Sequence, residues 1–131
     1  MTRHEAREIA FALLFENTFS EEGIEAVIAD AREAETLDPN EFAVSLALGT
    51  AEHMEEIDGK IGDASHKWSV ARISRVSLSV IRLAVYEITY LDEIPVSVSI
   101  NEAVELAKKY GGEEEAAFVN GVLGGIARAA E

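Results

Sequence analysis

The stretch Ser77–Leu91 constrains the fold most strongly, because its apolar residues cover almost every side of a helix. At about 100° per residue, one stripe contains Leu78, Ile81, Val85 and Ile88. Other apolar residues widen this stripe beyond the roughly 100° that a surface helix usually buries: Val80, Leu83, Ala84 and Leu91. The pattern therefore predicts a central helix with other helices packed around it.

The polar residues of this helix form only a narrow strip, made of Ser79, Arg82, Tyr86 and Thr89. Glu87 lies instead among apolar positions, where an unpaired charge would be costly. We therefore expect another segment to supply a hydrogen-bond or ion-pair partner for Glu87. Two interpretations stay open: a structural carboxylate that ties two helices together, or a contact at a partner surface.

Composition favours a single all-α domain. The chain has 131 residues, of which 48% are hydrophobic and only two are prolines. The absence of cysteine excludes disulfides and thiolate metal sites and is compatible with a reducing cytoplasm. No signal-peptide pattern or apolar run of about 18 residues occurs, so we expect a cytoplasmic protein with no membrane partner.

The charges are unevenly distributed. The formal net charge of −14 argues, taken alone, against nucleic-acid binding. Residues 60–82, however, contain a single acid, Asp63, and five cations: Lys60, Lys67, Arg72, Arg75 and Arg82. Because salt screens charges beyond about 10 Å, this local positive stretch can matter more than the total.

Capping signals and apolar spacing predict the remaining helices. Thr2 caps a helix that ends near Asn17, and Ser20 caps a second one over about Glu21–Ala34. After a linker at Thr36–Asn40, we expect helices at about Asn40–Asp58 and Lys60–Lys67, separated by a weak turn between Gly59 and Gly62. A capping box predicts a helix start at Ser99, Gly111-Gly112 ends that helix, and Glu113 opens the last one.

Two groups of residues suggest binding. Arg3, His4 and Arg7 project from the first helix, where cations oppose the helix dipole, so local stability would not select them. Trp68, beside Lys67, has the character of a base-stacking platform. For Arg3, His4 and Arg7, the alternative is solvated surface charge. For Trp68, the alternative is a tryptophan that closes the core.

Catalytic patterns are absent from the sequence. The three histidines are scattered, and no HExxH, P-loop, GxGxxG or GxSxG motif occurs. We therefore expect a binding protein rather than an enzyme, with no catalytic residue, cofactor or metal.

Several segments resemble the NusB family: TRHEAREIAFALLFE, WSVARISRVSLSVIRLAVYEI, IPVSVSINEAVELAKKYG and FVNGVL. The resemblance runs in order through nearly the whole chain. It implies an all-α fold of about seven helices in two packed bundles. Residues 1–131 would form one RNA-binding domain with helical subdomains at about 1–59 and 60–131.

The resemblance also implies a function in transcription antitermination. NusB-like proteins bind the single-stranded boxA element of nascent ribosomal RNA together with NusE, a small-subunit ribosomal protein, within the RNA polymerase antitermination complex. The family's N-terminal arginine-rich motif falls on Arg3, His4 and Arg7. Further positions on the RNA side would be Trp68, Arg72, Arg82, Phe118 and Asn120, and the NusE face would include Tyr86 and Glu87.

Departures from the family pattern keep alternatives open. Glu5 and Glu8 are interleaved with the N-terminal basic residues, and Ser77 and Leu78 stand where many relatives carry charge. One alternative is an acidic protein-binding adaptor with weak or no RNA contact. The fold also forms the N-terminal domain of certain ribosomal RNA cytosine methyltransferases, but we do not expect such an enzyme here, since the 131 residues show no nucleotide-binding motif. Either a monomer or a homodimer is compatible with the sequence.

Overall fold

The computed structural model describes residues 2–34, 41–65 and 69–130 and confirms the predicted all-α fold. Seven α-helices and no strand occur in these ranges, with a short 3-10 helix at Val70–Arg72. The α-helices are α1 (Arg3–Asn17), α2 (Ile24–Glu33), α3 (Glu41–Glu52), α4 (Met54–Ser65), α5 (Arg75–Tyr90), α6 (Val96–Gly111) and α7 (Glu113–Ala129). None of the described helices is long and apolar enough to span a bilayer. The predicted linker, Thr36–Asn40, lies outside the described residues.

The chain divides into two compact units, Met1–Glu52 and His53–Glu131. In the first unit, α1 packs against α2 and α3. Its buried apolar side chains include Ala10, Leu13, Leu14, Ile28 and Leu46. The cap on α1 is the predicted one, because the hydroxyl oxygen of Thr2 accepts a hydrogen bond from the backbone N–H of Glu5 at 3.1 Å.

In the second unit, α5 packs against α4, α6 and α7, as its wide apolar arc predicted. The helix begins after Ser74, whose hydroxyl oxygen accepts a hydrogen bond from the N–H of Ser77 at 3.1 Å. Ser79 was expected on the polar strip but is fully buried, and its hydroxyl has no partner among the described residues. A serine is small enough to be enclosed when three helices cover α5.

Glu87 has the partner that its position required. Its side chain is 2% exposed, and the hydroxyl of Ser99 on α6 donates a hydrogen bond to its carboxylate at 3.0 Å. This geometry corresponds to the structural interpretation, in which the carboxylate ties α5 to α6.

The starts of α2 and α6 differ from the sequence-based predictions. Helix α2 begins at Ile24 rather than Glu21, because Ser20 accepts a hydrogen bond from the N–H of Glu22 in a local turn and Gly23 has φ +96°. Helix α6 begins at Val96 rather than at the capping box, since Pro95 fixes the first turn and the Ser99 hydroxyl is used by Glu87.

The predicted turn between Gly59 and Gly62 is wrong, because both glycines lie inside α4. Burial of Ile57, Ile61 and Ser65, spaced four residues apart, outweighs the low helix propensity of glycine. The break falls instead at His53, between α3 and α4, where each helix packs within a different unit. Gly112, with φ +101°, separates α6 from α7 as predicted.

We expect Ser99→Ala to reduce the free energy of unfolding by about 1 to 3 kcal/mol, because a buried carboxylate loses a hydrogen-bond donor. Ser97→Ala is the matched control, since Ser97 is exposed on the same helix and gains the same intrinsic helix propensity. Urea unfolding of both variants measures the difference. Equal stability of the two variants would contradict the structural role of the Glu87–Ser99 hydrogen bond.

We expect Gly121→Ala to stabilise the protein by about 1 kcal/mol, the usual helix-propensity gain. A methyl group at Gly121 would meet no other atom within 4 Å, so no close packing there requires a glycine. Gly112→Ala is the opposite case, because a positive φ of 101° strains any side chain. Thermal unfolding distinguishes them, and a destabilised Gly121→Ala would contradict the account.

Candidate RNA and protein interface

The three N-terminal basic residues differ in exposure. Arg3 and His4 are exposed in the first turn of α1, whereas Arg7 is only 4% exposed. The guanidinium of Arg3 lies 4.3 Å from the centre of the Phe42 ring, a cation–π contact that holds the side chain at the surface. Arg3 and His4 thus present polar groups to solvent, while Arg7 offers little surface to an RNA.

Arg82 is held in a bidentate ion pair. Its Nε and Nη2 atoms donate hydrogen bonds to the two carboxylate oxygens of Asp58, both at 2.8 Å. The side chains are only 15% and 27% exposed, so the pair joins α5 to α4. The pair uses the Nε–H and one Nη2–H of Arg82, so only the remaining guanidinium N–H groups could donate to a phosphate.

Arg72 and Arg75 are exposed immediately before and at the start of α5. Arg72 ends the short 3-10 helix, which packs on α4. The neighbouring cation Lys67 and the predicted stacking residue Trp68 lie outside the described residues. The exposed guanidinium groups nevertheless mark this edge of the second unit as its locally basic part.

Phe118 and Asn120 lie on α7, with Phe118 half-buried and Asn120 exposed. The start of this helix is fixed by Glu115, whose carboxylate accepts hydrogen bonds from the hydroxyls of Ser74 and Ser77, the latter at 3.0 Å. Glu115 lies one helical turn before Phe118. The network therefore positions the predicted α7 residues relative to the basic start of α5.

An aromatic cluster in the second unit was not predicted as a group. The ring of His53 stacks on Tyr90 with 4.1 Å between centroids, and the rings of Tyr86 and Tyr90 are 5.5 Å apart. All three side chains are half-buried, and the Tyr90 hydroxyl donates a hydrogen bond to Glu56 at 2.5 Å. The i,i+4 spacing of Tyr86 and Tyr90 was the sequence signal that could have predicted their contact. The contact of His53 with these rings could not be predicted, because it depends on the break between α3 and α4.

The predicted partner residues Tyr86 and Glu87 thus have different environments. Tyr86 belongs to the half-exposed aromatic cluster, whereas Glu87 is buried beneath α6. Of the two, Tyr86 is the side chain that a partner can reach in this conformation.

We expect Tyr90 to ionise late. The hydrogen bond to Glu56, followed by desolvation and the nearby negative charge, raises the pKa of Tyr90 from 10.0 to about 12. Because the pKa of Tyr90 is raised on folding, its hydrogen bond to Glu56 stabilises the folded state. This stabilisation is complete below pH 10 and is lost as the pH rises through about 12. A difference absorbance titration of the protein against Tyr90→Phe isolates this phenol.

In the same titration, Glu56→Gln should return the Tyr90 midpoint towards 10, since it replaces the charged acceptor of the phenol's hydrogen bond by a weaker neutral one and removes the nearby negative charge. Glu114→Gln, an exposed acid on α7, serves as the control and should leave the midpoint near 12. A Tyr90 midpoint that does not respond to Glu56→Gln would contradict the assigned hydrogen bond.

Comparison with known proteins gives a consistent family. The family model described as "NusB family" matches residues 4–128. Transcription antitermination protein NusB of Oceanobacillus iheyensis is 44% identical over 126 residues, covering 96% of this chain and 98% of the relative. The protein of that name from Acetivibrio thermocellus is 42% identical over 130 residues, covering 98% and 90% of the two chains.

Solved structures agree with this match. NusB of T. maritima superposes with a TM-score of 0.85 at 36% identity, covering 98% of this chain and 92% of that one. A chain in the crystal structure of antitermination factors NusB and NusE in complex with dsRNA gives a TM-score of 0.85 at 30% identity, with coverages of 98% and 99%. The fold, the matched family model and these full-length relatives together establish that this chain belongs to the NusB family.

Proposed function

We propose that this chain is a non-enzymatic transcription antitermination factor that binds single-stranded boxA RNA together with NusE and thereby supports ribosomal RNA transcription. The observation that carries the proposal is the full-length similarity to NusB proteins, one of them seen in a complex with NusE and RNA. The assembly would act on RNA polymerase in the cytoplasm.

The exposed cations support an RNA contact of limited extent. Arg3 and Arg72 have exposed side chains that could contact phosphate oxygens, while Phe118 and Asn120 offer an aromatic face and an amide for bases. Arg7 and Arg82 are less accessible, because one is buried and the other is ion-paired. We therefore infer that this chain alone binds RNA weakly and that NusE supplies part of the affinity. Trp68 remains a proposed stacking residue.

The same observations favour one alternative, an acidic adaptor whose partner is a basic protein and whose RNA contact is weak or absent. The net charge of −14 and the engagement of Arg82 by Asp58 support it. Fluorescence anisotropy of labelled boxA RNA, titrated with the chain alone and with NusE at two salt concentrations, separates the two functions. Antitermination is supported if RNA binding is salt-sensitive, is tightened by NusE and is absent for a scrambled RNA. Capture of NusE without any RNA binding supports the adaptor.

Within that assay, we expect Arg3→Gln and Arg72→Gln each to weaken RNA binding and leave NusE binding intact. Each lost phosphate contact should reduce the slope of log Kobs against log salt by about 0.7, the value for single strands. Arg32→Gln is the control, because Arg32 is exposed on α2 and the change in charge is identical. Equal effects of all three variants would mean that only the total charge matters and would contradict a defined contact.

A further inference from the structure

The carboxylate of Glu115, in the first turn of α7, connects two helix starts of the second unit. Its Oε1 atom accepts hydrogen bonds from the hydroxyls of Ser74 and Ser77, the latter at 3.0 Å. Ser74 is at the same time the cap of α5, because its hydroxyl oxygen accepts a hydrogen bond from the N–H of Ser77 at 3.1 Å. These three residues are called the Glu115 clasp below. The clasp joins the start of α7 directly to the start of α5.

The end of α6 leaves space for this carboxylate. Gly111 is the last residue of α6, and a methyl group added to it would overlap the Glu115 carboxylate and lie 3.1 Å from the Glu115 Cβ atom. Gly111 is helical and, unlike Gly112, has no positive φ that would itself favour glycine. The contact with Glu115 thus distinguishes Gly111 from Gly59 of α4, where an added methyl group would meet nothing within 4 Å.

The negative charge of Glu115 is favourable at both helix starts. Helix dipoles place partial positive charge at N-termini, where an acid is stabilising. The first turn of α5 contains no acid of its own, and its first residue, Arg75, is a cation. Glu115 supplies the missing negative charge from α7 through its contacts with the two serine hydroxyls. The clasp thus stabilises a helix start that lacks a compensating charge in its own sequence.

The clasp links two segments that carry residues proposed to contact RNA. Exposed Arg72 precedes Ser74 by two residues, and Phe118 follows Glu115 by one helical turn. Apolar packing holds the body of α7 through these buried side chains: Ala116, Val119, Val122, Leu123 and Ile126. The hydrogen bonds of Glu115 hold its first turn against the start of α5. We therefore expect the position of Phe118 relative to Arg72 to depend on the clasp.

A carboxylate beside a surface for RNA does not attract RNA, because its charge repels phosphate. Any favourable effect of Glu115 on RNA binding must therefore come from the positions of its neighbours. We propose, on the basis of the function proposed above, that Glu115 is a positioning residue for RNA recognition. Acting through Ser74 and Ser77, it holds Arg72 and Phe118 at the spacing that suits boxA RNA and so raises discrimination against other single strands.

Gly111→Ala tests the proposal without removing any charge or hydrogen-bonding group, because the added methyl group displaces the Glu115 carboxylate. Gly59→Ala is the matched control, since Gly59 is exposed in open space. Fluorescence anisotropy of the chain with NusE gives Kd values for boxA RNA and for boxA with one substituted base. Gly111→Ala should reduce the ratio of these Kd values by roughly threefold to tenfold, the equivalent of about one hydrogen bond. The slope of log Kobs against log salt should stay unchanged, since no cation is removed.

Two variants of Glu115 separate positioning from simple charge repulsion, and they carry the test if Gly111→Ala does not fold. Glu115→Gln retains an oxygen that accepts the serine hydroxyls and should keep most of the discrimination, whereas Glu115→Ala should lose it. If both variants bind every RNA more tightly with unaltered discrimination, the carboxylate only repels phosphate and the proposal is overturned. A folded Gly111→Ala with unaltered discrimination would likewise leave the clasp a purely structural role, whatever its thermal stability.

A measurement without RNA distinguishes failure of the clasp from failure of the proposed function. In NMR spectra of the chain alone, Gly111→Ala and Glu115→Ala should both shift the ring proton resonances of Phe118, whereas Gly59→Ala should not. If these resonances shift but the unaltered chain with NusE binds no boxA RNA, the proposed function fails and the clasp has no role in RNA recognition. If RNA binds but the Phe118 resonances do not respond to either variant, Glu115 does not position Phe118 and the proposal is overturned.

Discussion

The hydrogen bond between the Ser99 hydroxyl and the buried Glu87 carboxylate joins the two helices on which the second unit depends. Helix α5 is covered by α4, α6 and α7, so a charge within its apolar arc must have a partner on one of them. Ser99 meets that need and, by doing so, is unavailable as a helix cap. Helix α6 begins at Val96, directly after Pro95, whose ring fixes the entry to the first turn.

Polar contacts at the ends and edges of α5 then determine where surface residues lie. Asp58 fixes Arg82 and joins α4 to the middle of the helix, while Glu115 binds Ser74 and Ser77 at its start. The contacts of Glu115 position α7 against the start of α5, which follows the exposed Arg72 in the chain. The other end of α5 carries Tyr86 and Tyr90, and the Tyr90 hydroxyl donates a hydrogen bond to the carboxylate of Glu56. One helix thus presents two chemically different ends, which is consistent with two classes of partner.

The sequence predicted the helices better than their boundaries. The wide apolar arc of α5, the Thr2 cap and the Gly112 turn follow from local chemistry, and all three occur in the structure. The break at His53 could not be predicted, because buried positions continue with helical spacing from Leu46 through Ile57 across it. Only the packing of α3 and α4 in separate units distinguishes the two helices. In the same way, the burial of Arg7 and the pairing of Arg82 with Asp58 are tertiary effects that residue type does not reveal.

The central claim is that the chain, NusE and boxA RNA form one complex, with the two surfaces of the chain engaged at once. Analytical ultracentrifugation of fluorescently labelled boxA RNA with both proteins tests this most directly, because it gives the mass of the species that contains RNA. We expect a single ternary species in which RNA, NusE and the chain sediment together, and no such species with a scrambled RNA. Labelled RNA that sediments at its free rate, beside a complex of the chain with NusE, would contradict it.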